Sequence, residues 1–308
     1  MDAAASPPER SASSAARVVS ARTPLVPRLH NLLERRELLW GLIVSDIRIK
    51  YKGSALGLIW SMLSPALTLA TYYLVFSVFL KNGIPGFVVY LFAGLVVWTM
   101  FQTAVSTSTG VIVDRAGLVK KVSFPREILA LSNVGAAIFY FVIQFGVLVA
   151  FVLLVGHHVT WSWAWLLVIA FVSLALFAAA LGIVMSAITV YLRDVRHLMD
   201  VLLQLWFWVS PVVYSYSNSL AAPLHRHGLT ALYFVNPLTP IILTFQRVIY
   251  GSPIVNSTTT GLPLHVLPSW SLSTFATMNV VILAVAIIGF LVALAIFGRL
   301  EGNFESEL

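Results

Sequence analysis

The sequence has no cysteine and few charged residues. Without cysteine, disulfide frameworks, thiolate nucleophiles and cysteine-based metal sites are excluded. Only 10% of the 308 residues are charged and 59% are apolar, whereas soluble domains carry about 25% charged and about 45–50% apolar residues. So few charges cannot cover a water-soluble surface of this size, which excludes a soluble enzyme or a nucleic-acid-binding protein despite the net charge of +7. The composition indicates an integral membrane protein.

Charge-free runs predict six transmembrane helices, because a helix needs about 20 apolar residues to cross a bilayer. The run over residues 128–192 is long enough to cross twice, and it breaks at a polar, tryptophan-rich stretch after Gly156. The run Val248–Gly298 crosses once, because a polar stretch and two prolines interrupt its first part. The predicted fold class is an all-α membrane protein with helices over residues 57–80, 87–112, 129–155, 161–190, 199–216 and 272–298.

Lysine and arginine residues orient these helices. With the N-terminus inside, 16 of the 19 Lys and Arg residues lie on the cytoplasmic side, as the positive-inside rule requires. We therefore expect a multi-pass protein of the cytoplasmic (inner) membrane with both termini in the cytoplasm. The predicted parts are a disordered cytoplasmic tail (1–27), an amphipathic interface helix (28–52), a six-helix transmembrane domain (53–298) and a cytoplasmic tail (299–308).

The chain lacks the devices that usually drive transport. All 12 acidic residues lie in predicted cytoplasmic segments or at their edges, whereas ion-coupled carriers place ionisable groups inside the membrane. The phosphate-binding motif of ATPases, G-x-x-x-x-G-K-[ST], is also absent from the sequence. The chain is therefore expected to take its energy from a partner, and the alternative is an undriven scaffold or passive pore.

Two cytoplasmic segments are suited to contact a partner. From Leu29 to Ile47, apolar residues recur at nearly helical spacing, which is typical of an amphipathic helix at the membrane interface. The loop Asp114–Glu127 combines four cations with the apolar residues Leu118, Val119, Val122 and Phe124. An apolar knob with a charged rim fits a cleft on a soluble protein. The alternatives are simple membrane anchoring for the helix and topology setting for the loop cations.

Five short stretches carry a family resemblance. They are Lys50–Gly57 (KYKGSALG) followed by Trp60 and Pro65, Val119–Glu127 (VKKVSFPRE), Tyr191–Val195 (YLRDV), Trp208–Tyr214 (WVSPVVY) and Asn236–Pro240 (NPLTP). In these stretches the chain resembles the permease subunits of ABC-2 type polysaccharide exporters, which export O-antigens, teichoic acids and actinobacterial galactan. The resemblance covers about residues 29–308, and the stretches occur in the family's order at the expected topological places.

The resemblance implies a homodimer in the membrane lipids, bound to two copies of a separate ABC ATPase, with a lipid-linked polysaccharide as cargo and no nucleic acid. ATP and Mg²⁺ would bind to that ATPase, so this chain is expected to have no catalytic residue and to bind no cofactor or metal. The interface helix would contribute Glu34, Arg35 and Arg36 to the ATPase contact. A coupling helix over Gly117–Phe124 would contribute Gly117, Leu118, Val119, Lys120, Lys121, Val122 and Phe124, with Arg126 beside it.

Aromatic and amide side chains are the candidates to line the path, because carbohydrate stacks on aromatic faces and its hydroxyls form hydrogen bonds, and a sliding polymer needs many weak sites. The candidates are Tyr72, Tyr73, Trp98, Gln102, Trp206, Trp208, Tyr214 and Tyr216. Phe234 and Asn236 are candidates for an external gate, which the family places between spans 5 and 6. The alternative is that aromatic residues near span ends belong to an interfacial belt.

Prolines interrupt the uncharged segment between spans 5 and 6, so we expect a pair of short re-entrant helices there rather than a full crossing. Two other functions stay open. One is an ABC-2 permease for drug or lipid efflux. The other is a membrane-bound glycosyltransferase or lipid-processing enzyme, which would need paired acidic groups at the membrane surface. Asp194 and Asp200 are the closest such pair, and the neighbouring arginines suit an ion-paired turn better.

Overall fold

The computed structural model describes residues 25–52, 59–251, 253–256 and 263–308. Most of the predicted tail 1–27 and the beginning of the predicted first span lie outside these residues. The described helices are α1 (Leu25–Glu34), α2 (Arg36–Tyr51), α3 (Ile59–Tyr73), α4 (Phe87–Thr109), α5 (Val111–Asp114), α6 (Ala116–Lys121), α7 (Glu127–Leu154), α8 (Trp165–Tyr191), α9 (Val195–Val209), α10 (Ala221–Arg226), α11 (Thr230–Val235), α12 (Leu238–Ile249), α13 (Leu272–Leu300) and α14 (Phe304–Glu307).

Five of the described helical segments are long and apolar enough to cross a membrane. They are Met62–Phe79, Phe87–Thr109, Glu127–Leu154, Trp165–Tyr191 and Leu272–Asn303. The first consists of α3 and a π-helical continuation, Leu74–Phe79. The predicted helical membrane fold is confirmed, whereas the predicted count of six crossings is not. The described residues also include one short antiparallel pair of strands, β1 (Ile254–Asn256) and β2 (Pro263–His265).

The predicted fifth span, 199–216, corresponds to α9, and its predicted end is wrong. The helix has 15 residues and ends at Val209, because Ser210 adopts an extended backbone directly before Pro211. Fifteen residues rise only about 22 Å along a helix axis, which is less than the hydrocarbon thickness of about 30 Å. A crossing at this place would therefore have to continue through the non-helical residues after Val209.

Between α9 and the last long helix, the described residues contain a π-helical turn (Tyr216–Leu220) and three short helices, α10, α11 and α12. The sequence predicts a pair of short helices in this segment. A short helix before Asn236 and another after Pro237 agree with the break that this Asn-Pro pair predicts. Their re-entrant placement in the outer leaflet stays a prediction.

The predicted interface helix is divided into α1 and α2 at Arg35, whose φ of −88° and ψ of 20° depart from helical geometry. The second helix packs on α7, where the Ile43 side chain occupies the space that a side chain at Gly135 would need. Arg115 forms an ion pair with Asp46 of α2, and Ser132 Oγ donates a 3.0 Å hydrogen bond to the same carboxylate. These contacts tie the interface helix both to the third span and to the loop before α6.

The first helix is anchored by Arg28, which is 7% exposed. Its Nε lies 3.3 Å from Glu127 Oε1 and its Nη2 lies 2.5 Å from Glu301 Oε2. Arg126 also contacts Glu301, donating from Nη1 to the backbone oxygen at 3.2 Å. The tail beyond α13 is fixed in addition by the fully buried Phe304 ring, which packs edge-on against Phe297. The sequence pattern gives this tail no role, and in the structure it contacts both α1 and the residue before α7.

The interior of the bundle forms around α4, whose side chains are mostly buried against α7, α8 and α12. Phe101 of α4 stacks on Phe177 of α8, with 5.5 Å between ring centroids and 5° between ring planes. In contrast, α3 lies at the edge of the bundle, packs on α4, and has no buried residue in its apolar stretch Met62–Phe79. This peripheral helix, α3, forms one wall of a cavity.

Candidate functional site

A cavity of about 680 Å³ lies between α3, α4, α7 and α9. Its lining combines aromatic rings with amide and hydroxyl groups, and it contains one lysine and one carboxylate. The lining residues are Lys50, Trp60, Ser64, Pro65, Thr68, Tyr72, Leu95, Trp98, Thr99, Gln102, Thr103, Tyr140, Gln144, Asp200, Gln204, Phe207 and Trp208.

One end of the cavity carries a cluster of aromatic rings from three helices. Tyr72 of α3 stacks on Phe207 of α9, with ring centroids 5.4 Å apart and ring planes 18° apart. Trp98 of α4 meets Phe207 edge-on at 5.4 Å, and Trp208 meets Tyr72 edge-on at 6.5 Å. Edge-to-face and offset contacts of this kind fix the rings relative to one another. Trp208 nevertheless stays 48% exposed, so it presents free aromatic surface to the cavity.

Amide side chains supply directed polar groups in the same wall. Gln102 Oε1 accepts a 2.9 Å hydrogen bond from Trp98 Nε1, and Gln144 Oε1 accepts a 3.0 Å bond from Thr99 Oγ1. Both bonds use the amide oxygen, so within the described residues the NH₂ groups are the donors that each glutamine has left. The wall therefore offers donors of fixed position beside the aromatic faces.

The predicted cytoplasmic end of the cavity holds its two charges. Lys50, near the end of α2, places its Nζ 4.5 Å from the centroid of the Tyr140 ring, a cation–π contact that leaves the ammonium facing polar surroundings. Asp200 of α9 accepts a 3.1 Å hydrogen bond from Ser106 Oγ of α4. Charge is thus confined to one mouth, and the rest of the lining is uncharged.

Four of the predicted path residues, Tyr72, Trp98, Gln102 and Trp208, line this cavity. The other candidates do not. Tyr73, the residue after Tyr72, lies outside the lining and is 38% exposed. The five remaining candidates also lie outside the lining; they are Trp206, Tyr214, Tyr216, Phe234 and Asn236.

Trp206 lies off the cavity because two residues advance a helix by roughly 200°, so that it faces away from Trp208. Its Nε1 donates a 2.9 Å hydrogen bond to Asn236 Oδ1, and its ring packs edge-on against Phe101. Asn236 Nδ2 in turn donates to Ser210 Oγ at 3.1 Å. These bonds connect the end of α9 to the Asn-Pro turn before α12.

Tyr216 and Phe234 belong to an aromatic cluster with Tyr233 and Trp270, and Tyr214 lies beside it. Tyr216 stacks on Tyr233 at 5.4 Å and meets Phe234 edge-on at 5.2 Å. The Tyr214 hydroxyl donates to the Val209 backbone oxygen at 2.9 Å and lies 3.3 Å from the Tyr233 hydroxyl. The cluster connects α11 to Tyr216 and, through Trp270, to the beginning of α13.

Several lining residues were not among the sequence candidates. Gln144, Thr99 and Tyr140 come from long apolar helices, Lys50 from the predicted interface helix, and Asp200 from the first turn of the predicted fifth span. A signal for Gln144 did exist, because a lone amide in an apolar span is costly in lipid and faces protein or water. The sequence held no comparable signal for the threonine, since Ser and Thr in spans commonly bond to their own helix.

The predicted partner-contact residues lie mostly on the surface. The exposed residues on or beside α6 are Gly117, Leu118, Lys120, Lys121 and Val122. At the junction of α1 and α2, the exposed residues are Glu34, Arg35 and Arg36. Val119 is different, because it is 3% exposed and packs inward. Phe124 is half-buried, and Arg126 contacts Glu301 and lies 5.9 Å from the centre of the Phe304 ring.

A second ion pair joins the loop before α6 to α9. Arg196 Nη2 lies 2.5 Å from Asp114 Oδ2. The hydrogen bond to the Asp114 carboxylate raises the pKa of Arg196 above its ordinary value. The guanidinium also fills the space where a side chain at Gly110, the residue after α4, would lie.

Comparison with known proteins identifies the family to which this chain belongs. Residues 37–250, which include every cavity residue, match the family model of the ABC-2 type transporter. The chain is 31% identical over 226 residues to an O-antigen export system permease protein RfbA of Myxococcus xanthus, which covers 73% of this chain and 85% of that protein. A protein of the same name from Klebsiella pneumoniae is 27% identical over 202 residues, covering 66% of this chain and 76% of the relative.

Proposed function

Because this chain belongs to the ABC-2 type transporter family, we propose that it is the permease subunit that exports a lipid-linked cell-surface polysaccharide. The observation that carries the proposal is the chemistry of the cavity. Its lining combines aromatic side chains with amide and hydroxyl groups, and it includes one lysine and one carboxylate. The relatives are named for O-antigen export, which is a polysaccharide cargo.

The cavity suits a sugar chain better than an apolar cargo. Its volume lies in the range of about 300–1,000 Å³ that is usual for ligand sites, and the NH₂ groups of Gln102 and Gln144 would find no acceptor on a purely apolar molecule. That argues against drug or lipid efflux as the function. Against a glycosyltransferase, Asp200 is the single carboxylate among the lining residues, whereas that chemistry uses paired acidic groups.

The energy would come from a partner ATPase, which would bind the ATP and Mg²⁺. The exposed Lys120 and Lys121 beside Leu118 and Val122 form a surface in which apolar groups are flanked by cations, as suits a soluble partner. A homodimer with two ATPase copies is part of the proposal. The family resemblance supports this arrangement, in which the polysaccharide would pass between the two copies.

The proposed location is the cytoplasmic membrane with both termini inside. The Lys and Arg distribution supports this orientation. Both termini on one side require an even number of crossings, so α9 together with the residues after Val209 would supply a sixth. Polar groups in that non-helical part would be tolerated because protein surrounds them, as the buried Ser210 and its bond to Asn236 illustrate.

The proposal is tested by complementation and co-purification. The full chain and the ATPase encoded beside it are produced in a bacterial strain whose own polysaccharide permease is deleted. We expect affinity-tagged chain to retain the ATPase, and surface polysaccharide to depend on both proteins. The same protein, purified alone and reconstituted in liposomes, should export no polysaccharide from them. Retention of no ATPase, or sustained export by the chain alone, would refute the function.

A further inference from the structure

Three helical segments meet where the predicted coupling loop reaches the bundle. The Arg196 guanidinium lies against Gly110, at the end of α4, and its Nη2 is 2.5 Å from Asp114 Oδ2, at the end of α5. Asp114 is followed by Arg115 and then directly by α6. Movement of α6 would therefore reach Arg196 through very little intervening chain.

From Arg196, one face of α9 runs into the cavity. Residues three or four positions apart lie on the same side of a helix. Arg196, Asp200, Gln204 and Trp208 follow at steps of four, and the last three line the cavity. Arg196 to Trp208 spans about 18 Å along a continuous helix, so the face connects the loop at the cytoplasmic end to the aromatic end of the cavity.

Stability alone is a weak explanation for this ion pair. The side chains of Arg196 and Asp114 are 42% and 57% exposed, and exposed pairs contribute little to folding. The close fit of the guanidinium over Gly110 is specific, however, because any β-carbon there would displace it. The 3.1 Å bond from Ser106 to Asp200 holds the next turn of α9 to the same end of α4.

We infer that Arg196 is a positioning residue that transmits movement of α6 to the cavity-lining face of α9, through its contacts with Asp114 and Gly110. This inference rests on the proposed function, since it assumes that an ATPase moves α6. In it, movement of Asp114 shifts Arg196, and the continuous helix carries Gln204 and Trp208 with it. The contacts form a continuous chain of packed groups between the two sites, and such chains can carry coupling.

The experiment uses the absence of cysteine from the chain. A Gln204→Cys chain carries one thiol in the cavity wall, and the complex with the ATPase is reconstituted in proteoliposomes. The rate at which N-ethylmaleimide modifies this chain is measured without nucleotide and with MgATP plus vanadate. In the Gln204→Cys parent, we expect the two rates to differ by about fivefold or more, the lower end of usual coupling between sites.

Arg196→Gln and Gly110→Ala are then introduced separately into the Gln204→Cys parent. We expect either change to reduce the rate difference to about twofold or less, while the ATPase stays bound and hydrolyses ATP. Asp114→Asn should reduce the rate difference in the same way. Arg196→Gln combined with Asp114→Asn should reduce the rate difference no further than either change alone, because both changes remove the same contact. The matched controls are Arg193→Gln, which removes an exposed cation before α9, and Gly146→Ala, where a β-carbon meets open space.

The outcomes separate the two proposals. If the parent does not retain the ATPase, the proposed function fails. If the parent retains the ATPase but its thiol reacts equally with and without nucleotide, the α9 face does not move and the inference is overturned. The inference is also overturned if Arg196→Gln and Gly110→Ala keep the full rate difference of the parent, or if the two controls lose it equally.

Discussion

Trp206 and Trp208 lie two residues apart on α9 and serve opposite sides of it. Trp206 donates a 2.9 Å hydrogen bond to Asn236 and packs into the protein, whereas Trp208 lines the cavity and is 48% exposed. A helix turns by roughly 200° over two residues, so these two tryptophans face opposite sides of α9. Substitutions on the cavity side of α9 should therefore change transport, and substitutions on the opposite side should change stability.

Trp208→Ala is expected to reduce polysaccharide export with little change in stability. The loss of one aromatic surface worth about 0.5–1.5 kcal/mol corresponds to an export reduction of about two- to tenfold. Export is measured as surface polysaccharide in the complemented strain, and stability as the melting temperature of the purified protein. Trp165→Ala is the matched control, because Trp165 is 47% exposed but does not line the cavity. Equal export by the two variants would contradict a substrate-facing Trp208.

Asn236→Ala is expected to destabilise the protein more than Trp206→Phe. Asn236 Oδ1 accepts hydrogen bonds from Trp206 Nε1 and from the Leu238 backbone N–H at 3.1 Å, and its Nδ2 donates to Ser210. Losing one partner of such a bond costs about 1–3 kcal/mol, and Trp206→Phe removes only one bond. Thermal unfolding in detergent measures the melting temperatures of the two variants, and Asn236→Ala should have the lower one. A melting temperature of Asn236→Ala at or above that of Trp206→Phe would show that the turn does not depend on these bonds.

Arg28→Ala is expected to destabilise the protein strongly. Glu127 is 1% exposed, and Arg28 is the cation 3.3 Å from it. Removing one partner of a buried ion pair costs about 3–5 kcal/mol because the other charge stays buried. Adding Glu127→Gln to Arg28→Ala should therefore recover part of the loss. The control is Arg299→Ala, since Arg299 is exposed. Comparable melting temperatures for Arg28→Ala and Arg299→Ala would disprove the anchoring role.

Lys120→Glu combined with Lys121→Glu is expected to weaken retention of the ATPase by about fivefold or more, because rim charges steer and hold a complementary partner. Both lysines are exposed on α6, so the fold should tolerate the change. Retention is measured by co-purification at low and high salt, and high salt should reduce the difference. Lys81→Glu, in the loop after α3, is the control. Full retention by the double variant would place the ATPase contact elsewhere.

Much of the membrane arrangement could be predicted from the sequence. Predicted spans 87–112, 129–155 and 272–298 agree with α4, α7 and α13 to within a few residues, because transfer of an apolar run into a bilayer depends on the run itself. The end of the fifth span could not be predicted by this reasoning. Val212 and Val213 extend the apolar run, but the backbone leaves the helix at Ser210, and the residues beyond it are buried in protein.

The amino-acid order was enough to establish the class of molecule: a cysteine-free, charge-poor helical membrane protein whose family signature survives in short stretches. Only the folded chain shows that Trp208 and Gln144 line the same cavity and that Trp206 bonds to Asn236 on the other side of α9. It also shows the contact between Glu301 and Arg28. The two kinds of information differ because insertion into a bilayer depends on the local free energy of each segment. The rotation of a helix about its axis, and hence the side chains that face one another, is set by packing against partners distant in the chain.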